Sequence, residues 1–227
     1  MFSQRPRLVL LSDYMNPNHY LGAVANDVVF LSANSGHGHI KVAEALEQNL
    51  ASRQNPPSSG HLEVLKYTNV FYRLGYNNLI INLVKNHPEA YGWLYEFFDK
   101  KHFSQTPIGR LTDKLAAALL TDSLERSNPK VIVATHYLTA QLAARLKAEG
   151  KITSEVIVVI TDYYAHQQWI VDGVDRYCVA SERTKENLTK RGVKSDKITV
   201  TGIPVNQEFL KVKRQEREAA CLSLIHI

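Results

Sequence analysis

The stretch Val28–Leu46, VVFLSANSGHGHIKVAEAL, changes character in its middle. Its first half is an apolar run that ends in small residues, and its second half has the spacing of a helix. Gly36, His37, Gly38 and His39 form the junction. Glycines permit a tight turn, and a helix start exposes backbone N–H groups that bind anions. The pattern predicts a strand, a glycine turn and a helix. It indicates either an anion-binding site or an ordinary capped turn.

Strand and helix patterns alternate along the rest of the chain. The strands are continuous in Val and Ile, which is typical of strands buried on both faces of a parallel sheet. Strands are predicted at 27–33, 61–67, 130–136, 154–162, 176–181 and 197–205, and helices at 39–53, 112–126, 138–149 and 182–191. This order predicts an α/β protein with a Rossmann-like, doubly wound parallel sheet.

Residues 70–110 interrupt this rhythm with aromatic and long apolar side chains. We predict two helices, the first ending near His87, because the following Pro88 disfavours helix at that position. The aromatic residues are either the core between two helices or a face that contacts an acceptor or a membrane. Basic residues beside aromatic ones suit an anionic membrane surface. The candidate membrane contacts are Tyr91, Trp93, Phe97, Phe98, Lys100 and Lys101.

The composition narrows the class of partner. The chain has 227 residues and a net charge of +5, which favours an anionic partner such as a membrane, a nucleic acid or a phosphate-bearing ligand. The basic residues are scattered and no RNA-binding motif is present, so we expect no nucleic-acid partner. Two cysteines without a CxxC pair fit a reducing compartment. No apolar run approaches the roughly 20 residues that span a bilayer.

Polar residues follow several of the predicted strands, where ligands bind in open parallel sheets. His136 ends one strand, and Thr161 and Asp162 end the next, followed by His166 and Trp169. A carboxylate at the end of a buried strand needs a partner or a task. Asp162 is therefore either a general base or a capping or ion-paired loop residue. His166 and Trp169 either line a cleft or pack beneath it.

Three familiar kinds of site are absent from the sequence. Four histidines, His37, His39, His136 and His166, follow strands, but no HExxH or Cys/His spacing accompanies them, so we predict no metal site. The junction also lacks the GxGxxG dinucleotide fingerprint, because position 41 is lysine. No GxSxG nucleophile elbow is present.

Five segments carry a resemblance to a known family, in the order SANSGHGHIKVAEAL, NHPEAYGWLYEFFD, PKVIVATHY, VIVVITDYYAHQQWIVDGVDRYCVASERTKENLTKRGV and KITVTGIPVNQEF. Over roughly residues 28–209 the chain resembles the amino-terminal half of the diacylglycerol glycosyltransferases, which include monogalactosyldiacylglycerol synthases and processive diacylglycerol glucosyltransferases. It is more distantly similar to the peptidoglycan lipid N-acetylglucosaminyltransferase. The resemblance implies a GT-B enzyme, with one Rossmann-like domain for the lipid acceptor and a second for the UDP-sugar.

The resemblance also implies roles for individual residues. His39 matches the histidine that ends the family's glycine-rich loop and is implicated in catalysis and in acceptor or anionic-lipid contact. Asp162 matches the aspartate of a TD motif, and either His39 or Asp162 is the base. GT-B catalysis requires no metal or cofactor, because a helix dipole and side chains stabilise the leaving diphosphate. The expected acceptor-binding residues are Gly36, His37, Gly38, His136, His166 and Trp169.

These patterns lead to one expected function and two alternatives. The expected function is transfer of glucose or galactose from UDP-glucose or UDP-galactose to diacylglycerol, by a peripheral enzyme at the cytoplasmic face of a membrane with anionic lipids. The alternatives are a non-catalytic Rossmann-like binding module and a glycosyltransferase with a polyprenyl-linked acceptor. We expect an extension at 1–26, an acceptor domain at 27–210, and a truncated linker with a non-native tail at 211–227. With the donor domain missing, the chain alone is expected to be inactive.

Overall fold

The computed structural model describes residues 27–33, 37–64, 86, 89 and 120–211. These residues form six strands, four helices and a further helical segment at 120–127, with 3-10 turns at Gln167–Trp169 and Ser195–Lys197. The strands are β1 (Val28–Ser32), β2 (Ser59–Glu63), β3 (Val131–Ala134), β4 (Glu155–Val159), β5 (Arg176–Val179) and β6 (Ile198–Val200). The helices are α1 (His37–Ala51), α2 (Tyr137–Ala148), α3 (Glu182–Lys190) and α4 (Glu208–Lys211).

The six strands form one parallel sheet in the order β2-β1-β3-β4-β5-β6. The chain runs from β1 outward to β2 and then returns to β3 on the other side of β1. Such a reversal of direction is a topological switch point, and ligands bind at the carboxyl ends of the strands beside it. The predicted α/β class with a parallel sheet is confirmed.

Both faces of the sheet are covered by helices, so the sheet is doubly wound as predicted. Alternate strand residues divide between two apolar clusters, with Val29 and Leu31 in one and Phe30 in the other. The larger cluster contains α2 and α3 residues such as Leu146 and Leu188. The smaller contains Val42 and other residues of α1. This burial on both faces explains the continuous Val and Ile runs of the strands.

The second strand differs from its predicted position. The sequence predicts a strand at 61–67, whereas β2 begins at Ser59 and ends at Glu63. Ser58 determines this register, because its carbonyl accepts from Val28 N–H at 3.0 Å and its hydroxyl accepts from Asp27 N–H at 2.9 Å. Pairing with β1 therefore begins at Ser59, before the predicted start of the strand at residue 61.

The last strand is shorter than predicted. The sequence predicts 197–205, but β6 ends at Val200. The N–H groups of Thr201 and Gly202 both point at Val179 O, and Gly202 has a φ of +76°. A left-handed residue breaks the extended backbone, which is why glycine stands there. Val205 is consequently a surface loop residue.

Several predictions lie outside the described residues. They include the extension at 1–26, the tail beyond Lys211 and nearly all of the aromatic segment at 70–110, in which only Asn86 and Glu89 are described and both are helical. Of the helix predicted at 112–126, the described part at 120–127 is helical. Within the described ranges, no helix has both the length and the apolar character needed to cross a bilayer.

Candidate functional site

The candidate site lies at the switch point, where β1, β3 and β4 end. His39 is in the first turn of α1, which follows β1, and Thr135 and His136 follow β3. Thr161 and Asp162 follow β4. His39 and Thr161 are 122 positions apart in the chain, and the structure brings their side chains into contact.

The imidazole of His39 is held by one of its two nitrogens. Its Nδ1 lies 2.8 Å from the carbonyl oxygen of Thr135 and 3.0 Å from the hydroxyl oxygen of Thr161. A carbonyl oxygen only accepts hydrogen bonds, so Nδ1 carries the proton and donates it. In the neutral ring Nε2 then has the free lone pair. This is the tautomer that a general base requires.

Threonine hydroxyls fix the backbone around this ring. The Thr135 hydroxyl donates to the carbonyl of His39 at 2.9 Å, and the Thr135 N–H donates to Leu31 O at 3.0 Å. The Thr139 hydroxyl donates to His136 O at 2.7 Å. Both threonines are fully buried, so water does not compete for these bonds. The starts of α1 and α2 are therefore joined directly to the ends of β1 and β3.

Asp162 is oriented by a buried indole. The Nε1–H of Trp169 donates to Asp162 Oδ2 at 2.8 Å, and His166 Nε2 lies 3.9 Å from the same oxygen. Trp169 is completely buried, whereas the Asp162 side chain keeps 42% of its surface exposed. Trp169 thus packs beneath the site, and the carboxylate it holds remains open to solvent.

His136 is buried and uncharged. Its Nδ1 accepts from the N–H of Leu138 at 3.2 Å and so caps the start of α2. Burial lowers the pKa of His136 well below its usual 6.5, and the neighbouring His39 and His166 lower that pKa further. Its ring meets that of His39 edge-on, with 4.6 Å between centroids. His136 therefore packs against the His39 ring and helps to hold it in position.

Aromatic side chains pack between the histidines of the site. Tyr137 lies 4.3 Å from His136 and 5.3 Å from His166, measured between ring centroids. Trp169 is 6.2 Å from His39 and 5.9 Å from His166. Rings at these separations attract one another and exclude water. His39, His136 and His166 consequently belong to one cluster.

The glycine junction differs from the prediction in one respect. Gly38 is not in a turn but inside α1, and its φ is not positive. A Cβ added there would meet nothing within 4 Å. The predicted need for a tight turn at Gly38 is therefore wrong, and the missing side chain leaves open space beside the first turn of α1. Gly36 and the side chain of His37 lie outside the described residues, as do Tyr91, Trp93, Phe97, Phe98, Lys100 and Lys101.

Thr135 is the site residue that sequence reasoning missed. It lies directly before His136 at the end of a predicted strand, and this position indicated that it is near the site. Its contact with His39 uses a main-chain carbonyl, which every residue type has, so the sequence could not reveal that contact. In the described part of the chain, no three His, Cys, Asp or Glu side chains are grouped in a way that would hold a metal ion.

Comparison with known proteins gives one family match. The family described as monogalactosyldiacylglycerol (MGDG) synthase matches residues 39–205. The relatives include an uncharacterized glycosyltransferase, YkoN, of Bacillus subtilis (strain 168), 27% identical over 186 residues, which are 79% of this chain and 47% of that protein. A processive diacylglycerol beta-glucosyltransferase of Bacillus thuringiensis (strain Al Hakam) is 29% identical over 194 residues, 80% of this chain and 46% of that protein.

The chain spans about half the length of these relatives. Among solved structures, the apo form of the lipopolysaccharide outer core galactosyltransferase WaaB matches with a TM-score of 0.48 and 12% identity, over 76% of this chain and 44% of that one.

Proposed function

The chain belongs to the monogalactosyldiacylglycerol synthase family, and from that membership we propose that it is the acceptor-binding part of a lipid glycosyltransferase. The intact enzyme transfers glucose or galactose from a UDP-sugar to diacylglycerol. Similarity to the processive diacylglycerol beta-glucosyltransferase of Bacillus thuringiensis supports diacylglycerol as the acceptor. The observation that carries the proposal is the held tautomer of His39, because it lies within the matched residues and leaves a basic nitrogen at the switch point.

His39 is the proposed general base. The acceptor hydroxyl approaches Nε2, and its oxygen forms a bond to the anomeric carbon of the sugar. The bond from that carbon to the diphosphate oxygen breaks, UDP leaves with the electron pair, and the acceptor proton passes to Nε2. The carbonyl of Thr135 then stabilises the imidazolium, since Nδ1–H still donates to it.

Asp162 has a second, electrostatic role in this proposal. Its Oδ2 already accepts from Trp169, which fixes the orientation of the carboxylate. Its partial exposure lets it face the reacting sugar, where a negative charge stabilises the positive charge that develops in the transition state. His166 and Trp169 act by orienting this carboxylate, and His136 by supporting His39.

The intact enzyme has two halves with different roles in this proposal, and the coverage of about half of each relative supports it. Residues 27–210 form the acceptor domain of a GT-B enzyme, and the half of the relatives that this chain does not match holds UDP-glucose or UDP-galactose. A membrane-embedded acceptor suits a peripheral enzyme at the lipid surface. We propose the cytoplasmic face of a membrane with anionic lipids, contacted by Tyr91, Trp93, Phe97, Phe98, Lys100 and Lys101.

A transfer assay tests the proposal. The chain is fused ahead of the unmatched half of the Bacillus thuringiensis relative and incubated with UDP-glucose or UDP-galactose and diacylglycerol vesicles. We expect glycolipid from the fusion and a loss of at least about 100-fold with His39→Gln, the range in which general bases contribute. His61→Gln is the control, because His61 lies in β2, is not one of the proposed site residues, and has its Nε2 2.8 Å from the Ser32 hydroxyl oxygen. Transfer to a polyprenyl phosphate but not to diacylglycerol, or full activity of His39→Gln, would contradict the proposal.

A further inference from the structure

Two neighbouring tyrosines project from the loop that follows β4. Tyr163 is 73% exposed and Tyr164 is 54% exposed. They come immediately after Asp162, so the aromatic pair borders the candidate site. Burying such a ring stabilises a folded protein, and two adjacent exposed rings therefore point to an interaction surface.

The loop holds these side chains outward by fixed contacts. The hydroxyl of Thr184, a fully buried residue, donates to the main-chain carbonyl of Tyr163 at 2.9 Å. Ala165, the next residue after the pair, is also fully buried. The backbone of the pair is thus anchored at Tyr163 and followed by a buried residue, while both rings remain exposed.

A positive charge lies against the second ring. The guanidinium carbon of Arg191 is 5.3 Å from the centroid of Tyr164, and Arg191 Nη2 donates to the Tyr164 hydroxyl at 2.6 Å. Arg191 Nη1 also donates to Gln167 Oε1 at 3.3 Å. The segment 182–194, which includes α3 and Arg191, has five basic and two acidic residues. The tyrosine pair is thus bordered by a net positive surface.

We propose that Tyr163, Tyr164 and Arg191 form a docking surface for an anionic lipid bilayer, and we name these three residues the tyrosine lip. The inference rests on the proposed function. Tyrosine is enriched where membranes meet water, because its ring is apolar and its hydroxyl is polar. Basic residues beside such rings are attracted to anionic headgroups. Docking here brings Asp162 and His39 to the surface at which a diacylglycerol hydroxyl is presented.

Flotation of the 227-residue chain with vesicles tests the tyrosine lip. The vesicles contain phosphatidylcholine with or without phosphatidylglycerol and diacylglycerol, at low and moderate salt. We expect the double variant Tyr163→Ser, Tyr164→Ser to bind at least about fivefold more weakly, and Arg191→Gln to lose mainly the binding that depends on phosphatidylglycerol and low salt.

The matched control removes equally exposed apolar surface elsewhere, by Val205→Ser with Phe209→Ser. Phe209 is 67% exposed. It follows Asn206, whose side chain donates to Gln48 Oε1 near the end of α1, about 14 Å along that helix from His39. We expect this control to bind as the unaltered chain does.

A fluorescence measurement tests contact directly. In a Trp93→Phe background, which removes the tryptophan already proposed as a membrane contact, Tyr163→Trp is expected to gain a blue-shifted emission that brominated lipids quench, whereas Phe209→Trp is not. Suppose that the unaltered chain binds vesicles, that the double serine variant binds equally well, and that brominated lipids do not quench the Tyr163→Trp variant. The proposed docking role of the tyrosine lip is then wrong, and the proposed function stands. If the unaltered, folded chain binds no vesicles with diacylglycerol, both fail.

Discussion

The role of His39 depends on which of its two ring nitrogens carries the proton. Its Nδ1 faces a main-chain carbonyl and a hydroxyl oxygen, of which the carbonyl can only accept. That carbonyl belongs to Thr135, which directly follows β3. A main-chain carbonyl thus fixes which nitrogen of His39 carries the proton. Residue types do not show this contact, so the sequence identified His39 as a candidate but did not decide between His39 and Asp162 as the base.

Imidazole ¹⁵N spectra test the tautomer. In the unaltered chain labelled at histidine, we expect the neutral His39 ring to be protonated on Nδ1 and unprotonated on Nε2. Thr161→Val should keep this tautomer, because the Thr135 carbonyl remains as acceptor. A switch to the Nε2–H form in Thr161→Val would mean that the Thr161 hydroxyl, rather than the carbonyl, sets the tautomer.

His136 should make the stability of the fold depend on pH. Its pKa is lowered in the folded chain, so the unfolded chain binds a proton more readily and the stabilisation is lost as pH falls below about 6.5. His136→Asn keeps an acceptor for the Leu138 N–H but does not titrate. Between pH 7.5 and 5.5, we expect the unaltered chain to lose about 1 kcal/mol more unfolding free energy than His136→Asn. Urea unfolding at both pH values measures this; equal losses in the two proteins would show that the pKa of His136 is not lowered in the fold.

At the scale of elements, the sequence predicted which strands and helices exist, and in which order, better than where each one begins and ends. The core strands β1, β3, β4 and β5 were found because burial on both faces requires continuous apolar runs. β2 was displaced because Ser58 and Ser59 pair with β1 despite weak strand propensity, and long-range pairing overrides local preference. β6 ended early, before Gly202, whose φ is positive. Local sequence gives little indication of where long-range pairing or a positive φ overrides strand propensity.

Tyr177 of β5 gives a test at this scale. Its hydroxyl accepts from Val171 N–H at 3.1 Å and donates to Val171 O at 3.2 Å, which ties the loop after Trp169 to the sheet. Burial raises the pKa of Tyr177 to about 12. Tyr177→Phe leaves both main-chain groups without this partner, and we expect a loss of about 1–3 kcal/mol in unfolding free energy.

Tyr163→Phe is the comparison for Tyr177→Phe in the same urea titration. It removes a hydroxyl from an exposed ring, so its effect should stay within about 0.5 kcal/mol. If both variants were equally stable, the loop would not depend on the hydroxyl of Tyr177.

At the scale of the whole molecule, sheet order creates the site. Residues near positions 39, 135 and 161 meet because β1 and β3 are neighbours whose connections leave in opposite directions. The sequence predicted that polar residues would gather at this edge, since carboxyl ends of parallel strands share one side of a sheet. It did not predict which of them touch, because those contacts depend on the strand order and on the bonds of Thr135, which no local pattern encodes.

In the proposed mechanism, a diacylglycerol hydroxyl reaches His39. The direct measurement is a titration of the histidine-labelled chain with dioctanoylglycerol, a short-chain diacylglycerol, followed by the imidazole resonances. We expect a saturable shift of His39 Nε2, while His61 in β2 stays unchanged. A folded chain in which His39 does not respond, at concentrations where other resonances report that the lipid is bound, would contradict the claim.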